Sequence, residues 1–303
     1  MQLHPEWLVP QWPASPQVRA VFTTRAGGVS RAPFDSLNLG RPSGDDMAAV
    51  DTNRRRVAEA IGHAPVFMGQ VHGVDSVELP QAEPAVAGRP IEADACVTST
   101  PGVVCAVRVA DCLPVLLTDE SGRVVAAAHA GWRGLAAGVL ERNFQHFEMQ
   151  LARLPGAPEP GAVAARTIAW LGPCIGPRAF EVGPEVRQAF LDRDEQAARH
   201  FEPRPGGKWM ADLAALGRMR LQALGIARIF GNDSSPGWCT SGNPSRFFSH
   251  RRDSIALGGE RTHGRLHLDR LTPRRARAAC AAAPGCPAGT SPVPAARRHR
   301  APV

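Results

Sequence analysis

Three residues of this chain have the chemistry to hold a metal ion: His72 in GQVHG, Cys112 in VADCLP and His129 in AAHAGWRG. Each lies where an apolar run breaks at Gly or Pro, a place where a side chain can leave the core and face a cleft. Two imidazoles and a thiolate are borderline-soft ligands that suit zinc. Three protein ligands leave one tetrahedral corner for water or substrate, as in catalytic rather than structural sites. A structural site would want a fourth Cys or His, and no close-spaced pair supplies one. Spacing alone carries little weight, because the three positions are 40 and then 17 residues apart. Plain alternatives therefore stand beside the metal: Cys112 as an ordinary buried thiol like Cys96, Cys105 and Cys174, His129 as a core histidine, His72 as a turn residue.

GWRG adds a second kind of chemistry. Arg133 lies where a strand turns into a helix from about Leu135, and a helix N-terminus with a guanidinium favours an anion. A phosphate or carboxylate substrate beside the metal is the functional expectation, and a solvated arginine in a surface turn is the plain one. TTRAGGVS offers another candidate, with Arg25 before a Gly-Gly loop that can approach a ligand closely. It is not a P-loop, and no GxGxxG follows a strand.

Strand-like runs alternate with helical patterns along the chain. VRAVFTTR (18–25), APVFMGQVHG, VDSVELP, RVVAAAHAG, RTIAWLGP and IARIFG read as strands. VVCAVRVADCLPVLLTD reads as a strand, a kink around Asp111 to Pro114, and a second strand. Helices are expected over Asp45 to Gly62, over GLAAGVLERNFQHFEMQL, from about Gly183 to Asp194, and over DLAALGRMRLQALG. LPGAPEPGAVAA (154–165) reads as a surface loop. The expected class is α+β or α/β, with a mixed sheet flanked by helices, built by residues 1–258 as one catalytic domain.

The net charge of +7 belongs to the end of the chain. From Gly259 to Val303 nine Arg face only Glu260 and Asp269, so the first 258 residues carry 26 basic and 26 acidic side chains. A nucleic-acid surface should lie on the folded body, so no nucleic-acid partner is expected. No apolar stretch is long enough for a membrane helix, the start lacks a signal-peptide pattern, and seven scattered Cys suggest reduced thiols. The expected setting is cytoplasmic, as a monomer or homodimer. Beyond Gly259, Arg, His, Pro and Ala dominate and periodicity ends, which reads as a flexible basic tail. A frameshift is the other reading. Reverse-translating Gly259 to Arg270 and reading one base later permits Ala-Ser-Gly-Arg-Met-Ala-Ala-Cys-Ile-Trp-Ile, a turn and an apolar strand.

Taken in order, TTRAGGVS, SLNLG, GQVHG, ADACVT, ADCLPVLL, AAHAGWRG, GPCIGPRAFEVG, DLAALGRMRLQALG and FFSHRRD resemble the multicopper polyphenol oxidoreductase (laccase-like) family, from about residue 18 to 258. That resemblance implies a zinc site on His72, Cys112 and His129. It implies an α/β sandwich-like fold related to bacterial cysteine-dependent deamidating toxins. It also implies phosphorolysis of adenosine, inosine and methylthioadenosine, with adenosine deamination besides. Arg25, Asn38, Gln70 and Arg133 fall in matching motifs as pocket residues for nucleoside and phosphate. The fold relatives suggest Cys112 as a nucleophile paired with a histidine. Two other activities remain open: a copper-dependent polyphenol oxidase, as the family name says, and a cytoplasmic amidase acting on peptidoglycan precursors. Copper oxidation is disfavoured by the absence of HxH pairs. The chain departs from the family at His250, where members carry Tyr in SYRRD, and beyond Gly259, where members continue with a TGR-like turn and an apolar strand.

Overall fold

The computed structural model describes residues 2–80, 90–159 and 161–254. The expectations for the segment from Gly259 lie outside the described residues. The chain first forms helix α1 (Met47–Ile61), which starts where the Asp46 carboxylate caps the Ala48 N–H and stops at Gly62, φ 82°. Strands β1 (Pro65–Phe67), β2 (Ser76–Glu78), β3 (Ala95–Thr98), β4 (Val104–Ala106), β5 (Leu113–Asp119) and β6 (Val125–Ala130) follow. Helices α2 (Trp132–Ala137), α3 (Val139–Ala152) and α4 (Val163–Arg166) lead to β7 (Thr167–Leu171). Then come β8 (Glu181–Val182), α5 (Pro184–Leu191), β9 (Phe201–Arg204), β10 (Lys208–Ala211), α6 (Leu213–Ala223), β11 (Arg228–Gly231) and α7 (His250–Asp253).

Six strands form one mixed sheet in the order β11-β7-β5-β6-β3-β2. The outer pairs, β11 with β7 and β2 with β3, are parallel, and the inner pairs are antiparallel. A three-stranded sheet, β8-β10-β9, and a parallel pair, β1 with β4, stand apart from it. Period two sorts the side chains of the central strands. Leu113, Val115 and Leu117 of β5, with Ala126, Ala128 and Ala130 of β6, enter the larger core with Leu140, Phe144 and Phe147 of α3. Cys96 and Ala127 point the other way, into a smaller core with Met68, Leu79 and Ala93. The alanine run of β6 has little side-chain bulk, so α3 lies close on β6 and β3.

Most expected elements are present, with instructive differences. Residues 18–25 do not form a strand; one antiparallel bridge joins Leu8 to Phe22, each N–H bonding the other's carbonyl at 2.9 and 2.8 Å. Further along, the Arg25 N–H bonds Arg246 O and its carbonyl accepts from Ser36 and Leu37, so loops take the hydrogen bonds a ladder would need. The helix expected after GWRG starts at Trp132 and breaks at Gly138, φ 107°, giving α2 and α3. The sheet β8-β10-β9 had no sequence signal. Its segments EV, FEPR and KWMA are two to four residues long, and FEPR is mostly exposed.

Candidate metal centre

Register brings the site's segments to one end of the main sheet. Strand β6 finishes there with His129 and Ala130, opposite Pro114 and Leu113 of its antiparallel neighbour β5, so Cys112 lies directly before the start of β5. Strand β3 runs against β6 and begins at the same end, directly after Asp94. Strand β2 runs parallel to β3, so the loop bearing His72 enters there too. In β6, His129 shares the face of Ala127, away from α3.

The candidate metal-binding atoms of His72, Cys112 and His129 all lie within 4.8 Å of one another. Cys112 Sγ is 3.8 Å from His72 Nε2. Two tetrahedral zinc ligands, one sulfur and one nitrogen, are expected about 3.6 Å apart. The donor set and its spacing therefore fit a zinc-sized ion. The two imidazole rings meet edge to face, with centroids 4.8 Å apart.

Asp94, fully buried, organises this centre. Its carboxylate accepts from the main-chain N–H groups of Val71, His72 and Gly73 at 3.1, 2.9 and 2.7 Å, which fixes the His72 loop. The same carboxylate lies 2.7 Å from His129 Nδ1, and the Asp94 carbonyl accepts from the His129 N–H at 2.7 Å. A proton on Nδ1 leaves Nε2 with a lone pair, the tautomer a metal ligand needs. Burial by itself would push the Asp94 carboxyl up, but its hydrogen bonds to His129, Gly73 and Val71 outweigh that and hold it below the usual range.

The backbone is strained at this end. His72 has φ 61° and Asp111 φ 94°, in the region that favours glycine. Asp111 turns its buried carboxylate to the end of the described chain, accepting from Thr240 Oγ1 at 2.5 Å, Ser249 Oγ at 3.0 Å and the Arg251 N–H at 2.7 Å. The kink expected around Asp111 is thus a tether beside Cys112. GWRG is glycine-rich for lack of room: a Cβ on Gly131 would stand 2.9 Å from Cys112 Sγ and 2.9 Å from His72 Cδ2, and one on Gly134 would stand 2.6 Å from Gly73 O.

Charge follows from these surroundings. Burial first, then the neighbouring His129, lowers the His72 pKa and favours the neutral ring. Burial, reinforced by Asp111 and Asp94, pushes the Cys112 thiol up to about 12. Left to the protein alone the sulfur keeps its proton, and a bound cation reverses that preference.

The other sequence candidates divide. Arg133 is exposed and stacks on Trp132, its guanidinium carbon 4.4 Å from the ring centroid, and its charge lowers the pKa of both His72 and Cys112. Arg25 is spent on loops: it donates to Asp35 O at 2.6 Å and Pro244 O at 2.7 Å and pairs with the Asp35 carboxylate at 3.1 Å. Asn38 donates to Ser43 Oγ and Asp45 and accepts from the Gly40 N–H. Gln70 clamps the main chain of Arg108, donating to its carbonyl at 2.8 Å and accepting from its N–H at 2.9 Å. Sequence reasoning missed Asp94 and Asp111. Their signal was an acid placed directly against an apolar strand, in ADACVT and VADCLP.

The family model of multi-copper polyphenol oxidoreductase laccase matches residues 19–265. The chain belongs to this family. Family relatives include Pseudomonas aeruginosa and Escherichia coli proteins named purine nucleoside phosphorylase, the latter YfiH. They are 48% identical over 249 and 248 residues, covering 82% and 81% of this chain and 93% of each relative. A Neisseria meningitidis crystal structure is similar at TM-score 0.72 and 40% identity, over 82% of this chain and 94% of that one. A Bacillus licheniformis YfiH structure is similar at TM-score 0.67 and 30% identity, over 78% and 88%. Among the described residues, no helix is long and apolar enough to cross a membrane.

Proposed function

We propose that residues 1–258 form one catalytic domain, a cytoplasmic zinc-dependent purine nucleoside phosphorylase acting on adenosine, inosine and methylthioadenosine, with adenosine deamination as a second activity. The observation that carries this reading is the meeting of His72, Cys112 and His129 within 4.8 Å over one buried carboxylate. Relatives named purine nucleoside phosphorylase, covered over 93% of their length, supply the reaction class.

His72, Cys112 and His129 would hold the ion. When bound, zinc supplies a Lewis acid that polarises a substrate oxygen. Asp94 keeps the His129 proton on Nδ1 and the His72 loop in place. Arg133 adds positive charge beside an anionic reactant. In phosphorolysis a phosphate oxygen bonds to the ribose anomeric carbon as the glycosidic carbon–nitrogen bond breaks. The bond's electron pair leaves with the purine, which gains a proton, and the sugar becomes ribose 1-phosphate. The chain's task is to place the anion and the sugar within reach of each other.

Metal-quantified protein incubated with adenosine and phosphate should release adenine and ribose 1-phosphate, with inosine marking deamination. Omitting phosphate should stop adenine release. Phosphate-independent cleavage would turn the reading to hydrolysis, and no turnover by zinc-loaded protein would overturn it. The family description favours a second reading, a copper-dependent phenol oxidase. Such an enzyme needs a mononuclear centre and a trinuclear cluster, and among the described residues one cluster of three ligands is found. Several copper ions per purified chain would decide for oxidation.

A further inference from the structure

A second concentration of charge lies at the root of the loop that carries His72. Arg54, on α1, donates from Nε and Nη2 to the Leu39 carbonyl at 3.0 and 2.8 Å. Its guanidinium carbon stands 4.4 Å from the ring centroid of Phe67, the last residue of β1. Arg108, between β4 and Cys112, reaches the same two segments. It donates from Nη2 to Met68 O at 3.0 Å, and a Cβ on Gly40 would stand 4.0 Å from its Nη1. The two guanidiniums thus straddle the Leu39–Gly40 and Phe67–Met68 backbone together.

Neither finds a carboxylate partner among the described residues. Arg108 Nε is buried with no hydrogen-bond acceptor, and the Nη1 groups of Arg54 and Arg108 have none among the described residues. Arg41 adds a third positive charge, and Asp51, the acid near this group, is taken by Arg41 at 2.7 Å. Burial, then Arg108 and Arg41, pushes Arg54 down to about 10, and burial lowers Arg108 as well. Half-buried guanidiniums held beside one another without counter-charge are costly for a fold to keep. An anion that takes up the idle N–H groups removes the cost, and a tetrahedral oxyanion can accept from two forks at once.

We propose that Arg54 and Arg108, with Arg41 at the rim, form a binding site for inorganic phosphate. The choice of phosphate rests on the phosphorylase reading; the anion site rests on the arginines. Position suits the task, since Gln70, which clamps Arg108, is two residues from His72, and Arg108 is four from Cys112. Asn38 and Gln70 become positioning residues. Asn38 holds the turn that presents the Leu39 carbonyl to Arg54, and Gln70 fixes the main chain that carries Arg108.

The test uses the full chain and phosphate itself, with binding followed by 31P NMR line broadening and equilibrium dialysis. Arg108→Gln is expected to raise the phosphate Kd about tenfold, as loss of charge-assisted hydrogen bonds does. Arg54→Gln should act in the same direction, and Arg108→Lys should recover part of the loss. Arg153→Gln, in an exposed pair with Glu78, should change nothing. In turnover, Arg108→Gln should raise KM for phosphate and leave KM for the nucleoside unmoved. Should Arg54→Gln not fold, Arg108→Gln alone carries the test. No phosphate binding by the wild type, an unchanged Kd in folded Arg108→Gln, or a loss confined to Arg133→Gln would overturn the site. Phosphorolysis with KM for phosphate untouched in Arg108→Gln would defeat this inference and leave the proposed function standing. Phosphate bound through these arginines without phosphorolysis would do the reverse.

Discussion

Two buried aspartates sit at opposite ends of the main sheet and perform the same local task. Asp119, at the end of β5, accepts from the N–H groups of Arg123 and Val124 at 2.6 and 3.0 Å and so closes the turn into β6. Asp94, at the start of β3, accepts from three successive N–H groups and closes the turn before β2. They differ in where the spare oxygen capacity goes. Asp119 spends it on its own turn, on Arg123 Nε at 3.3 Å. Asp94 spends it on His129, whose other nitrogen faces Cys112 and His72. One carboxylate ends a hairpin. The other ends a loop and orients a candidate ligand, and the strained φ angles at His72 and Asp111 gather at its end. Strain is tolerated where a network of hydrogen bonds over-determines the chain.

The contrast can be broken by substitution. The largest effect is expected from Cys112→Ala or His129→Ala, which should leave purified protein without zinc and without turnover, read by elemental analysis and product assay. Full activity in a metal-free variant would remove the metal from the mechanism. Asp94→Asn keeps the shape but disturbs the His129 tautomer, and should cost about 10–100-fold in metal affinity or activity. Gly131→Ala forces a methyl against Cys112 Sγ and His72 at 2.9 Å, so competition with a zinc chelator should show weakened binding in a protein of nearly unchanged melting temperature. Asp119→Asn should cost about 1–3 kcal/mol of stability and leave metal affinity alone. If it lowered metal affinity as much as Asp94→Asn, the two ends would not be separate devices.

Acid sharpens the comparison more gently. Asp94 is held below the usual carboxylate range, so the unfolded chain binds its proton first and the stabilisation is lost as pH falls through the folded value. His72, His146 and His200 are all lowered, mainly by burial, and act with the same sign from about pH 6.5 downward. Melting temperature should therefore fall in two stages on acidification, first through the histidine range and then through the carboxylate range. Asp94→Asn should flatten the second stage.

Sequence alone singled out the three candidate ligands because each interrupts an apolar run, and the structure brings them within 4.8 Å of one another. Sequence also exposed β5, β6, β7 and α6, where burial imposes a long period or a long apolar stretch. Asp94 and Asp111 escaped because their roles lie in partners far along the chain, such as Thr240 and Ser249 for Asp111. The pocket roles expected of Arg25, Asn38 and Gln70 came from motif position; that these side chains also brace loops is a fact of the fold that motif position does not carry. Arg54 and Arg108 stood out in no motif. What marks them is that neither has a carboxylate of its own among the described residues, since Asp51 pairs with Arg41, a property of packing that no linear pattern carries. Residues 18–25 misled because a β-branched, apolar run was available for a ladder and the fold offered no neighbour beyond Leu8.

Asp111 has a consequence for the order of assembly. It precedes Cys112 directly, yet among the described residues its carboxylate accepts from Thr240, Ser249 and Arg251, more than a hundred residues later. In chain order His72, Cys112 and His129 all come well before those partners. The candidate metal site is thus braced from near the end of the described residues, and a chain cut before Thr240 would carry the three candidate side chains without that brace.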